Sequence, residues 1–210
     1  MAIHKSLSIL ACVASLAFPS FAHAAFIDRG GGMIYDDALD ITWLQDFNYA
    51  MTSGYDADGL MTWDAASAWA ASLNVGGYEG WRLPTHAGSE NPRPETPTSE
   101  NEIGSLWYYF SGSEMGYINE DADISPFFGL PALGYGEWWY WSGSVAPDDP
   151  SRYWRMDMGC ACWGHSPTGE EYYATAVRDG DVAPIPEPSA PLLFGAGTLI
   201  VGWALRRRAP

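Results

Sequence analysis

The residues best suited to chemistry in this 210-residue chain are two closely spaced cysteines. Cys160 and Cys162 are separated by one alanine and followed by His165. Alternate residues of a strand lie about 6.6 Å apart on one face, near the upper limit for a disulfide, and the adjacent Gly159 and Gly164 favour the bend that would close the bridge. The pattern predicts a local disulfide. Free or intermolecular thiols, and a soft-metal site that includes His165, are the alternatives.

Carboxylates suggest a second kind of chemistry, the binding of calcium. Asp56 and Asp58 resemble the middle of an EF-hand loop, but positions one and twelve of that loop would fall on Gly54 and Ala65, which carry no carboxylate. Asp56 and Asp58 are therefore weak calcium candidates outside an EF-hand, together with the acidic run at residues 120–123. We expect no other cofactor.

Motifs for nucleophilic catalysis are absent from the sequence. There is no G-x-S-x-G element, and His86 and His165 are the only histidines beyond the first 24 residues. His86 begins a stretch rich in proline, serine and glutamate, which predicts a solvated loop residue rather than a general base. Paired acids for glycoside hydrolysis cannot be told from an acidic surface by sequence. We therefore expect a protein that is not an enzyme.

Aromatic residues are the richest resource for binding. Trp138, Trp139, Tyr140 and Trp141 are consecutive, and on a strand they point to alternate faces. If Trp139 and Trp141 face the core, Trp138 and Tyr140 face out, or the reverse. We take Trp138 and Tyr140 as the candidate exposed platform on which a sugar could stack. The alternative is that all four belong to the core.

The charge of the chain excludes one class of partner. It has 26 acidic against 10 basic residues, a net charge of −16, and an aromatic content of 15%. A polyanion such as nucleic acid requires clustered basic residues, so no nucleic acid is expected as a partner. The aromatic content argues against disorder.

The elements that must position these residues read as an α+β domain. Thr62 can cap a helix from Trp63 to about Asn74, with Trp69 on its apolar face, and Ser99-Glu100-Asn101-Glu102 reads as the capping box of a second helix. Residues 45–60 read as a long loop. Short strands are predicted at 26–29, 33–35, 41–44, 138–142, 152–158 and 172–178, the first two forming a hairpin around three glycines. Helices among short antiparallel strands indicate the α+β class.

Both ends of the chain read as targeting signals. Residues 1–24 combine Lys5, an apolar run and a small-x-small cleavage site, which predicts a secretory signal peptide. At the other end, Pro186-Glu187-Pro188 is followed by an apolar stretch over 190–205, a predicted transmembrane helix, and then by the basic tail Arg206, Arg207 and Arg208.

This C-terminal pattern, residues 184–210, resembles the PEP-CTERM sorting signal. The resemblance implies recognition by an exosortase, with Pro186, Glu187, Pro188 and the three arginines as the sorting motif. It also implies an intermediate held in the inner membrane by the C-terminal helix, followed by delivery to the cell surface or extracellular matrix of a Gram-negative bacterium. A plain membrane anchor is the alternative.

Residues 25–183 resemble the Lcl C-terminal domain family, a domain of largely unknown function. The resemblance rests on Trp81-Arg82-Leu83-Pro84-Thr85, on Tyr140-Trp141-Ser142-Gly143-Ser144 and on the hairpin around residues 28–36. The order of elements resembles the C-type-lectin-like fold. Some members of the family bind sulfated glycans, but a lysine-free acidic domain is poorly suited to polysulfates. Arg82 and Arg178, which recur in the family motifs, are predicted to be buried and paired with acids.

These observations favour a non-catalytic protein of the cell surface or extracellular matrix, with exopolysaccharide as a hypothetical ligand. The alternative is a secreted enzyme that acts on matrix polysaccharide.

Overall fold

The computed structural model describes residues 26–86, 99–111, 118, 123–131 and 138–182. The predicted signal peptide, the PEP tripeptide, the helix over 190–205 and the arginine tail lie outside these residues. The elements in chain order are β1 (Phe26–Gly30), β2 (Met33–Asp36), β3 (Ile41–Leu44), α1 (Tyr49–Thr52), α2 (Trp63–Ser72), α3 (Glu102–Phe110), β4 (Trp139–Ala146), β5 (Asp149–Asp157), β6 (Cys162–Pro167) and β7 (Val177–Asp179). Helices and two sheets make a mixed α/β architecture.

The strands form two antiparallel sheets. The first has the order β1-β2-β3-β7 and the second the order β4-β5-β6. The predicted hairpin of β1 and β2 is present, and Gly30, Gly31 and Gly32 all have positive φ, a conformation that glycine adopts without steric cost. The last strand, β7, pairs with β3, so the first sheet contains both the first and the last described strands.

Helix α2 begins where the sequence predicts. The Thr62 hydroxyl accepts a hydrogen bond from the Ala65 N–H at 3.3 Å, and Ala66, Trp69 and Ala70 are buried. The helix ends at Ser72, two residues before the predicted end, because Leu73 adopts an extended backbone.

The predicted capping box of the second helix is wrong. Asn101, not Ser99, is the N-cap of α3, and its side-chain oxygen accepts from the Gly104 N–H at 3.2 Å. The Glu102 carboxylate does not turn back to cap the helix, because it binds Arg82 and the Thr85 N–H instead.

The strands of the second half of the chain differ from the predicted ones. β4 extends to Ala146, β5 starts at Asp149, and the strand predicted at 172–178 is reduced to Val177–Asp179. β6 was not predicted, because Cys-Trp-Gly-His-Ser-Pro has no strong strand pattern. The loop predicted at residues 45–60 contains the one-turn helix α1.

Apolar residues form two core clusters on opposite faces of the sheets. Ile34 and Trp43 belong to one cluster with Tyr140, whereas their chain neighbours Met33 and Leu44 belong to the other with Trp141. Consecutive strand residues point to opposite faces, which explains the division. Among the described residues, no helix combines the length and apolar character needed to cross a membrane.

Candidate functional site

The platform predicted from Trp138 and Tyr140 is wrong. Trp138 is 3% exposed and Tyr140 is fully buried, and both belong to the first core cluster. Tyr140 packs against Phe47 and Tyr173, with ring centroids 5.9 and 5.6 Å away. Burial raises the pKa of the Tyr140 hydroxyl well above its ordinary value. Both residues that the prediction assigned to solvent therefore face the first core cluster, and Trp141 on the opposite face is buried in the second.

The partly exposed aromatic residue of β4 is Trp139, which the prediction assigned to the core. Trp139 lies opposite Asp157 in the β4–β5 register, so Arg155 is its diagonal neighbour on the same face. The guanidinium carbon of Arg155 lies 3.6 Å from the centroid of a Trp139 ring and 4.8 Å from the Tyr172 ring. Both distances are within the range of cation–π attraction.

Hydrogen bonds fix the orientation of this guanidinium. The Nε of Arg155 donates to the Ser166 hydroxyl at 2.8 Å, and that hydroxyl lies 3.2 Å from the Tyr172 hydroxyl. Gly164 lies opposite Arg155 in the register, and an added Cβ there would be in ordinary van der Waals contact with the guanidinium carbon, at 3.6 Å. We call Trp139, Arg155, Ser166 and Tyr172 the arginine–aromatic site.

The charge of Arg155 is not balanced by a direct ion pair. In the described part of the chain, ion pairs join Arg29 to Asp181 and Arg82 to Glu102 and Asp179. Arg155 forms none, and its partial burial lowers the pKa of the guanidinium. Asp157 and Glu170 lie near enough to counteract this effect without contacting the group.

The two arginines singled out in the sequence differ. Arg82 forms a two-point ion pair with the buried Glu102 carboxylate, both N–O distances being 2.8 Å, which confirms the predicted pairing, but the Arg82 side chain itself is 35% exposed and not buried as predicted. Hydrogen bonding to Glu102 raises the pKa of Arg82 above its ordinary value. Arg178 instead donates to the carbonyl oxygens of Glu79 and Asp181, so its predicted acidic partner is wrong.

The cysteine pair lies at the turn between β5 and β6. Cys160 and Cys162 are joined by a disulfide with Cα atoms 5.1 Å apart. Ala161 between them has φ of 52°, which brings the two Cα atoms closer than on a flat strand. In this state neither sulfur is a thiolate, so the alternative metal site with His165 lacks its two soft ligands.

His86 is buried rather than solvated, which corrects the expectation from its loop sequence. It is 2% exposed, and its ring stacks on Trp163 at 3.6 Å between centroids. Trp154 contacts the edge of His86 and of His165, at 4.8 and 5.5 Å. Within the described residues, neither ring nitrogen of His86 makes a hydrogen bond to a hydroxyl or a carboxylate.

Burial lowers the pKa of His86 to about 4 from its ordinary 6.5. Between these values the unfolded chain binds a proton that the folded chain excludes, so stability falls as the pH drops from 6.5 to 4. The loss should reach about 3 kcal/mol, at 1.36 kcal/mol per pH unit. We expect urea unfolding at pH 7, 5 and 4 to show this loss in the natural protein and not in His86→Phe. Carboxylates titrate in both proteins, so their effect cancels in the difference between the two free energies of unfolding. An identical pH dependence of the two proteins would contradict the lowered pKa of His86.

The carboxylates of the calcium candidates Asp56 and Asp58 accept hydrogen bonds from backbone N–H groups of their own loop. Asp56 accepts from the N–H groups of Asp58 and Gly59 at 3.1 and 2.8 Å, and Asp58 accepts from the Leu60 N–H. The Asp58 N–H bond is the main cause that lowers the pKa of Asp56. Within the described ranges, no group of three or more histidine, cysteine, aspartate or glutamate side chains is arranged to hold a metal. The acidic run at 120–123 lies outside them except for its last residue.

Sequence reasoning missed Trp139, Arg155 and Tyr172 as a site. Alternation along β4 separates Trp139 from Tyr140 but does not say which faces solvent. Gly164 lies opposite Arg155 only because of strand β6, which the sequence did not predict, so it gave no usable signal for the site.

Comparison with known proteins identifies one segment of the chain. Residues 184–208 match the PEP-CTERM protein-sorting motif. No curated protein and no solved structure matches the chain. The motif is recognised by an exosortase, so the chain is an exported, exosortase-sorted protein that passes through the membrane to the cell surface of a Gram-negative bacterium. The resemblance of the middle of the chain to the Lcl C-terminal domain family stays a prediction.

Proposed function

We propose that this exported protein is a non-catalytic component of the cell surface or extracellular matrix and that it binds carbohydrate at the arginine–aromatic site. The observation that carries the proposal is the Arg155 guanidinium between partly exposed aromatic side chains, with Ser166 fixing its orientation. Binding sites commonly combine aromatic surface with a few polar groups that fix the ligand. A lectin-like fold for the domain is part of the same proposal.

The surroundings of the histidines support binding over catalysis. Burial lowers the pKa of His86 and keeps it neutral at physiological pH, and within the described residues neither ring nitrogen makes a hydrogen bond to a hydroxyl or carboxylate. The Nδ1 atom of His165 is also buried without a hydrogen-bond partner among the described residues, and the ring lies against Trp154. In the part of the chain that the structure describes, neither side chain shows the hydrogen bond to a hydroxyl or carboxylate by which a general base is positioned.

The test uses the mature protein recovered from the cell surface and soluble exopolysaccharide purified from the same culture. We expect the protein to bind the polysaccharide in calorimetry without releasing reducing ends. Trp139→Ala should weaken binding at least about tenfold, the effect of losing one aromatic anchor. Tyr78→Ala is a matched control, because Tyr78 also lies beneath an arginine, Arg178, but outside the site.

Two results would contradict this proposal. Release of reducing ends would favour the alternative, an enzyme that acts on matrix polysaccharide. Equal binding by the Trp139→Ala variant and the natural protein would show that the polysaccharide does not bind at the arginine–aromatic site.

A further inference from the structure

We propose that Arg155 recognises a carboxylate, so that the ligand of the arginine–aromatic site is an acidic sugar such as a uronic acid. This inference rests on the proposed carbohydrate binding and adds the chemical class of the ligand.

The first argument is the missing counter-charge. The chain has 26 acidic residues against 10 basic ones, so acids are abundant as partners. Arg29 and Arg82 both have one within ion-pair distance, whereas Arg155 has none in the described part of the chain; Arg152 and Arg178 also lack one there but donate to carbonyl oxygens. Asp157, two residues away on the same strand, turns its Oδ1 to the Gly159 N–H instead. The structure therefore leaves a positive charge unpaired in an acidic protein.

The second argument is the set of hydrogen-bond donors that remains. A guanidinium has five N–H donors, and among the described residues only Ser166 accepts from Arg155, through Nε. The two terminal nitrogens are left to present the planar pair of donors that fits a carboxylate at two points. The Trp139 and Tyr172 rings beside them offer apolar surface for the ring of a sugar.

The third argument is the cost of the charge. Partial burial disfavours the charged guanidinium, as the lowered pKa of Arg155 reflects. A bound carboxylate would offset that cost, whereas a neutral sugar would add to it. The protein can bind one acidic sugar unit despite its net charge of −16, because exposed charges farther away than about 8 Å are largely screened at physiological salt.

The experiment compares a matched pair of sugars. The mature exported protein, labelled with ¹⁵N, is titrated with methyl β-D-glucuronide, methyl β-D-glucoside and acetate, and the indole N–H signal of Trp139 is followed by NMR. We expect the glucuronide to bind at least about tenfold more tightly than the glucoside, because only it forms the charged two-point contact. Acetate should bind more weakly than the glucuronide, since it lacks the sugar ring.

Variants assign the preference to one side chain. Arg155→Gln should reduce the ratio of the two affinities to about one, and Arg155→Lys should lose most of it because lysine cannot make a planar two-point contact. Arg178→Gln is the control, since Arg178 also stacks near a tyrosine ring and donates only to carbonyl oxygens. It should leave the ratio unchanged. The dispersion of the NMR spectrum verifies folding of each variant.

The possible failures are distinguishable. Equal binding of the two glycosides would overturn this inference and leave carbohydrate binding intact. Binding of acetate as tight as that of the glucuronide would show a carboxylate site that does not recognise sugar. If neither glycoside binds, this inference fails, and the calorimetry with exopolysaccharide decides separately whether the proposed carbohydrate binding stands.

Discussion

Replacing Trp69 by alanine should lower the free energy of unfolding by about 3–5 kcal/mol, the range for removing a buried aromatic side chain. Trp69 is fully buried in the second core cluster, where α2 packs with Trp81, Leu83 and Trp141. Its indole N–H has no hydrogen-bond partner among the residues that the structure describes, so the expected loss comes from packing and the cavity left behind. The measurement is the denaturant midpoint of the purified exported protein.

Two further variants separate packing from other causes. Trp69→Phe should cost less, because it keeps part of the ring volume and loses no hydrogen bond. Ala68→Ser changes the exposed neighbour on the same helix and should alter stability by only a few tenths of a kcal/mol. An unchanged midpoint in Trp69→Ala would show that this face of α2 does not point to the core.

Replacing Arg82 by methionine should cost about 3–5 kcal/mol, the penalty for leaving a buried charge without its partner. The Glu102 side chain is 3% exposed, and its oxygens accept two bonds from Arg82 at 2.8 Å and one from the Thr85 N–H at 2.7 Å. Without Arg82 the carboxylate keeps only the Thr85 bond. Denaturant unfolding at neutral pH measures the effect.

The double variant Arg82→Met with Glu102→Leu should recover most of this loss, because removing both charges removes the unpaired one. Arg178→Met is the matched control and should cost about 1 kcal/mol, since it loses bonds to carbonyl oxygens at an exposed position. Equal shifts for Arg82→Met and Arg178→Met would contradict the importance of burial at Glu102.

Local signals predicted the elements whose causes lie within a few residues. Thr62 caps α2 as its position before an apolar helical stripe indicates, and three glycines specify the hairpin of β1 and β2. The predicted N-cap of α3 was two residues too early, because the Glu102 side chain binds a partner far away in the chain. One glutamate side chain cannot both close a capping box and form a buried ion pair. The sequence of the helix does not show that Arg82 is the partner of Glu102.

The candidate site could not be predicted because it depends on which face of a sheet is covered. Tyr140 and Trp139 are equally suited to stacking, and the choice follows from Phe47 and Tyr173 covering Tyr140. His86 was misassigned for a related reason. Its flanking residues are typical of a loop, but Trp154 and Trp163 from distant strands enclose it.

The pairing of β3 with β7 has a consequence for the order in which the protein folds during export. Trp43 pairs with Val177, so the closing contact of the first sheet spans most of the domain and carries a high loop-closure cost. A chain that emerges from its N-terminus presents β3 as an open edge until β7 follows. β7 ends at Asp179 and the sorting motif begins at residue 184. The first sheet can therefore be completed only shortly before the sorting motif itself is exported.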